Sequence, residues 1–158
     1  MKLEKLVEYF ARIQSPIAEV GTGSFGNRQI YTIAYGSFER PRLKGKLLPG
    51  GGDAALVDAN GVLRLDLHVT LQPDDGAYIY LQGNGVWRAD PTRPSRPEGE
   101  PADYGDMYIM GTPRFETGDE RYKWLNEIVC VAEGKMSPVA DEGFLADISW
   151  QAYAVVND

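Results

Sequence analysis

From Val62 to Leu71 the chain alternates without a break. Leu63, Leu65, Leu67, Val69 and Leu71 fall on one side, and Arg64, Asp66, His68 and Thr70 fall on the other. A half-buried strand requires this period of two, because successive Cβ atoms leave opposite faces of the pleat. A helix would scatter the same leucines round its circumference. Turn signals close both ends. Asn60-Gly61 supplies the positive φ of a tight hairpin, and Pro73-Asp74-Asp75-Gly76 first fixes and then frees the backbone. Asp53 to Asp58, Val62 to Leu71 and Ala77 to Gln82 are therefore expected to form a three-strand meander.

The same alternation predicts strands at Lys5 to Ile13, Arg28 to Tyr35, Leu43 to Leu48, Met107 to Phe115, Glu127 to Glu133 and Ile148 to Val156. One short helical turn is expected within Asp119 to Asn126. Strands joined by short polar connections fit an all-β, antiparallel barrel or sandwich. A closed or nearly closed barrel is preferred, because closure removes the edges a meander leaves open. Between Arg88 and Gly105 lie Pro91, Pro94, Pro97 and Pro101 with no apolar periodicity. Proline removes ladder donors, so this stretch of about 88–105 reads as a surface loop or as a lid over a barrel mouth.

Composition limits the partners. A chain of 158 residues with 43% hydrophobic content can bury a continuous core as one domain spanning 1–158. Its 16 Lys+Arg against 23 Asp+Glu give a net charge of −7, which argues against a nucleic-acid backbone as partner. The N-terminus, Met1-Lys2-Leu3-Glu4-Lys5-Leu6-Val7-Glu8, sets acids where a signal peptide needs an apolar core. Ile128 to Ala132 is among the longest apolar runs, whereas a helix needs about 20 such residues to cross a bilayer. No repeated aromatic girdles bracket the strands, so a membrane barrel is not expected either. The expectation is a cytoplasmic protein with no membrane partner.

The only histidine, His68, is the natural general base near neutral pH. Asp66 precedes it by two residues, hence on the same strand face and roughly 7 Å away along the chain, long for a direct hydrogen bond. In a barrel the question is which face lines the lumen: polar residues inward and leucines outward would favour a ligand site. A second face carries Tyr108, Met110, Thr112, Arg114 and Glu116. Arg114 with Glu116 suits either an ion pair or an anion-holding arginine beside an acid/base glutamate. Asp66, Tyr108 and Glu116 are thus the candidate catalytic residues. His68, Tyr80, Arg114, Trp124 and Asn126 are the candidate ligand contacts. Nine tyrosines and three tryptophans offer aromatic wall, with Tyr78, Tyr80, Trp87, Tyr108, Tyr122 and Trp124 in or beside the central strands.

Several chemistries lack their residues. One histidine and one cysteine do not make a zinc centre, so no metal and no cofactor are expected. Cys130 sits in an apolar strand and reads as inert core. Gly21-Thr22-Gly23-Ser24-Phe25-Gly26 has dinucleotide-loop spacing, but Asn27 to Tyr35 reads as strand where a helix is needed. Pro49-Gly50-Gly51-Gly52 is followed by no Lys-Ser/Thr pair, so it is no phosphate loop. Both glycine groups are expected to be turns or bulges.

Arg42-Leu43-Lys44-Gly45, Leu48-Pro49-Gly50-Gly51, Leu65-Asp66 and Asp74-Asp75-Gly76-Ala77-Tyr78-Ile79-Tyr80 follow one another in order. Pro113-Arg114-Phe115-Glu116-Thr117-Gly118 and Tyr122-Lys123-Trp124-Leu125-Asn126 complete the series. This series resembles the domain-of-unknown-function 3237 family, also called uncharacterised protein family 0311, over nearly the whole chain. The resemblance implies a small β-barrel comparable to lipocalin-like and allene-oxide-cyclase-like barrels, with no general activity attached. Family members often carry an aromatic-arginine pair after the aspartate of the third strand. Here Leu67-His68 stands in its place, so His68 is a poor family-wide base and a better means of tuning a local preference.

Three functions follow as expectations. The first is a barrel that binds a small, partly aromatic or carbonyl-bearing molecule in its lumen. The second is a cofactor-independent isomerase, cyclase or lyase working through Asp66, Tyr108 and Glu116. The third is a homodimeric structural or interaction protein whose barrel is filled with side chains.

Overall fold

A computed structural model describes residues 1–40, 43–94, 96–97 and 100–158. Arg42, which opens the first quoted motif, lies outside the described residues, as do Ser95, Glu98 and Gly99 of the proline-rich stretch. Among the described residues the strands are β1 (Lys2–Gln14), β2 (Ala18–Gly23), β3 (Gly26–Arg40), β4 (Leu43–Leu47), β5 (Gly52–Val57), β6 (Leu63–Pro73), β7 (Ile79–Arg88), β8 (Tyr108–Glu116), β9 (Val129–Pro138) and β10 (Phe144–Val156). A 3-10 turn, Lys123–Glu127, lies between β8 and β9, within one residue of the expected helical turn.

These strands close an eight-position antiparallel barrel in which chain neighbours are also sheet neighbours. Two positions are each filled by two strands end to end. β1 pairs with the second half of β3 and β2 with its first half. On the other edge of β3, β4 and β5 share the slot facing β6 in the same manner. β10 pairs with β1 along nearly its whole length and shuts the barrel, so the edge left by a meander is removed. The expected all-β barrel is the observed fold.

The glycine cluster makes the β4–β5 junction possible. There the chain threads between β3 and β6 so closely that a Cβ on Gly52 would lie 1.9 Å from the Tyr31 carbonyl oxygen. One on Gly51 would lie 2.5 Å from that of His68. Backbone bonds persist through the break, with the Ile33 amide donating to Gly51 at 2.8 Å and the Leu48 amide to Thr70 at 2.9 Å. The other glycine group forms the β2–β3 hairpin, where Gly23 faces Gly26 across Ser24-Phe25.

The long alternating strand points its leucines inward. Leu65, Val69 and Leu71 are buried, and Arg64 and His68 are exposed. β1 contributes Val7, Tyr9, Ala11 and Ile13 to the same interior, and β10 contributes Ala146, Trp150 and Ala152. Burying each large apolar side chain is worth about 1.5–3 kcal/mol, so the inward stripes fix the strand register. The interior is unevenly filled. Phe38, Leu43, Leu71, Ile79, Phe115 and Leu125 pack the end that carries the β6–β7 turn and the 3-10 turn. The other end is hollow, so the expected filled barrel does not match this interior.

Candidate functional site

The hollow half is a cavity of about 410 Å³. Ile13, Tyr31, Asp53, Leu63, Trp87, Pro138 and Ile148 line it toward the end where the β5–β6 and β9–β10 hairpins and the β7–β8 segment lie. Tyr9, Leu47, Val69, Leu81 and Trp150 line it deeper. Asp53 is the only charged residue in this lining among the described residues.

Register explains why Asp53 faces in. It lies opposite Tyr31 on β3 and opposite Leu67 on β6, and all three share the inner face. The Asp66 amide donates to Asp53 Oδ1 at 2.8 Å and holds the carboxyl in place. Burial among apolar walls pushes its pKa up to about 6, and the nearby Asp66 charge adds to the rise. The Asp66 amide, Arg28 and His68 act in the opposite direction. Arg28 makes its own bond elsewhere, donating to the Ala54 carbonyl at 2.7 Å.

Tyr31 links this corner to the surface. Its hydroxyl donates to Gln29 Oε1 at 2.7 Å, and Gln29 Nε2 donates to the Glu19 carboxylate at 3.2 Å. Burial, followed by the negative charges of Glu19 and Asp53, raises the Tyr31 pKa and keeps the phenol protonated. A hydrogen-bonded chain therefore runs from the Tyr31 hydroxyl through Gln29 to exposed Glu19 at the rim.

The sequence candidates lie elsewhere. Asp66, His68 and Tyr80 come together, but on the outer wall of β6 and β7. His68 Nε2 is 2.9 Å from Asp66 Oδ1, and Nδ1 contacts the Tyr80 hydroxyl. Side chains leaning toward each other close the spacing that strand rise alone had made too long. Glu116 sits opposite Tyr80 on the same outer wall, and Arg114 sits opposite Gln82; of the two readings of this pair, the ion pair is not formed among the described residues. Tyr108 lies under Arg88, whose guanidinium is 4.3 Å from the ring centroid. None of Asp66, His68, Tyr80, Tyr108, Arg114 or Glu116 lines the cavity.

Trp124 and Asn126 belong to the closed end. Asn126 clips the chain after β8, accepting from the Thr117 amide at 2.8 Å and donating to its carbonyl at 2.9 Å. The Thr117 hydroxyl donates to the Tyr78 carbonyl at 2.8 Å. Tyr122 bonds Asp75 in the β6–β7 turn, and that bond pushes the Tyr122 pKa up to about 12. The Phe-Glu-Thr-Gly and Trp-Leu-Asn segments thus plug the barrel floor. Burial raises the Cys130 pKa to about 11, in keeping with an inert thiol.

The proline-rich connection does not contribute to the cavity lining among its described residues. Tyr104 instead lies against the outside of β9, with Lys135 Nζ 4.8 Å from its ring centroid, and Arg96 pairs with Asp106.

The match to the family described as "Protein of unknown function (DUF3237)" extends over residues 1–155. The chain belongs to that family. Among DUF3237-type relatives, the UPF0311 protein of Clostridium acetobutylicum is 33% identical over 135 residues, 84% of this chain and 85% of that one. The UPF0311 protein of Rhodopseudomonas palustris (strain ATCC BAA-98 / CGA009) is 34% identical over 115 residues, 72% of each. A solved beta-barrel-like protein from Acinetobacter baumannii superposes with a TM-score of 0.77 at 30% identity, covering 97% of this chain and 94% of its own. The motifs quoted for the family resemblance largely form the barrel floor and the β4–β5 junction, while Tyr9, Tyr31, Asp53 and Trp150 of the lumen lie outside them. The sequence does carry a signal for Tyr9, which alternates with Val7 and Ala11, but none for Asp53, whose strand has two similarly apolar faces.

Proposed function

We propose that this DUF3237 barrel binds a small, partly aromatic or carbonyl-bearing molecule in its lumen. The observation that carries the reading is the cavity of about 410 Å³, apolar except for the Asp53 carboxyl and the tyrosine hydroxyls. Small-ligand sites fall at about 300–1,000 Å³ and combine apolar walls with a few fixed polar groups. Trp87 and Trp150 offer aromatic faces, and the Asp53 carboxyl is the fixed polar group against which a ligand orients.

Two of the three tryptophans line the cavity, and Trp124 stands outside at the closed end. Titration with tetralin and β-tetralone is therefore read from the fluorescence of a Trp124→Phe protein. Saturable quenching is expected, and it should vanish in Ala11→Phe, which fills the lumen. Equal quenching in the filled variant would place binding outside the barrel and refute the reading.

A further inference from the structure

We propose that the lumen is a proton-transfer site, in which Asp53 takes a proton from the carbon beside a ligand's carbonyl group and returns it. The substrate class is a ketone, saturated or β,γ-unsaturated, with an otherwise apolar body. This rests on the lumenal binding reading and adds a reaction to it.

Asp53 is suited by position. Its carboxyl is the one charged group in the lining among the described residues, and one oxygen is fixed by the Asp66 amide at 2.8 Å. Oδ2 makes no hydrogen bond to another described residue. Apolar side chains line the cavity around it, so a ligand seated there presents carbon-bound hydrogen to the carboxyl. A group titrating near 6 both accepts and gives back a proton near neutral pH.

The step balances without a co-reactant. The C–H bond beside the carbonyl breaks and its proton goes to Asp53. The electron pair forms the carbon–carbon double bond of an enolate, and the carbonyl π pair moves to oxygen. Return of the proton to the same carbon regenerates the ketone. In a β,γ-unsaturated ketone, return to the γ carbon of the extended enolate moves the double bond into conjugation.

Hydrogen–deuterium exchange at the α-carbons of β-tetralone, followed by proton NMR in heavy water, reads the step. Buffer alone and Ala11→Phe give the background. Wild type is expected to accelerate exchange, and Asp53→Asn to lose about 10²-fold or more of that acceleration while still binding the ketone by fluorescence. His68→Gln should exchange like wild type. Asp53→Asn exchanging at the wild-type rate would overturn the proposal, as would wild type binding β-tetralone with no acceleration. If tetralin binds and β-tetralone does not, the proton-transfer proposal falls and the binding reading stands. If neither binds, both fall.

Discussion

Replacing Asp53 by asparagine should make the protein more stable at neutral pH. The carboxyl is held at a pKa of about 6 against an ordinary 3.8. Between these values the folded chain keeps a proton that the unfolded chain has released. Raising the pH through that window therefore withdraws stability from the wild type, and the loss is complete above about pH 6 to 7. Each pKa unit corresponds to about 1.4 kcal/mol, so the shift is worth about 1–3 kcal/mol once partial solvent exposure is allowed for. The amide oxygen in Asp53→Asn can still accept from the Asp66 amide, so the substitution removes the charge and keeps the bond. Urea unfolding of both proteins from pH 4 to pH 8 measures the difference. Asp66, Arg28 and His68 act on this carboxyl through their charges and are unchanged in the variant, so the comparison isolates Asp53. The variant should gain nothing near pH 4 and reach a plateau above pH 7. A variant of equal or lower stability at pH 8 would refute the assignment of Asp53 to an apolar interior.

Other substitutions probe the rest of the barrel. Gly52→Ala pushes a methyl group against the Tyr31 carbonyl and should cost about 1–3 kcal/mol or more, read as a lower urea midpoint; an unchanged midpoint contradicts the close approach. Asn126→Ala removes both bonds to Thr117 and should cost about 1–3 kcal/mol, with lumenal affinity for β-tetralone unchanged because the clip lies at the closed end. His68→Gln should leave that affinity within a factor of about two, a difference smaller than about 0.5 kcal/mol; a tenfold loss would bring the outer wall of β6 and β7 into the site.

Much of the architecture is legible because one physical rule writes it. A strand with a wet face and a buried face must alternate, and Val62 to Leu71 does so for its full length. Where alternation lapses, legibility lapses with it. β2 went unseen because Gly21 and Gly23 offer no side chains to pattern. β7 runs on to Arg88, past the expected end at Gln82, through Gly83-Asn84-Gly85, where two glycines carry no side chain to pattern. In the barrel Gly85 lies against β8, where a Cβ would come within 2.5 Å of the Met110 carbonyl.

The site was harder to read for a different reason. Periodicity shows that a strand has two faces but does not say which one meets the lumen when both are plausible. Asp66 and His68 share a face and do meet, yet the leucines between them own the interior. In β5, Asp53, Ala55 and Val57 alternate with Ala54 and Leu56, so neither face stands out. Only pairing with Tyr31 and Leu67, which are distant in sequence, turns Asp53 inward.

A crystal structure of the protein with β-tetralone bound tests the central claim most directly. The account predicts density inside the barrel between Trp87 and Trp150, with the ketone end at Asp53. Density on the outer wall beside His68 and Tyr80, with the lumen left as it is in the free protein, would contradict it.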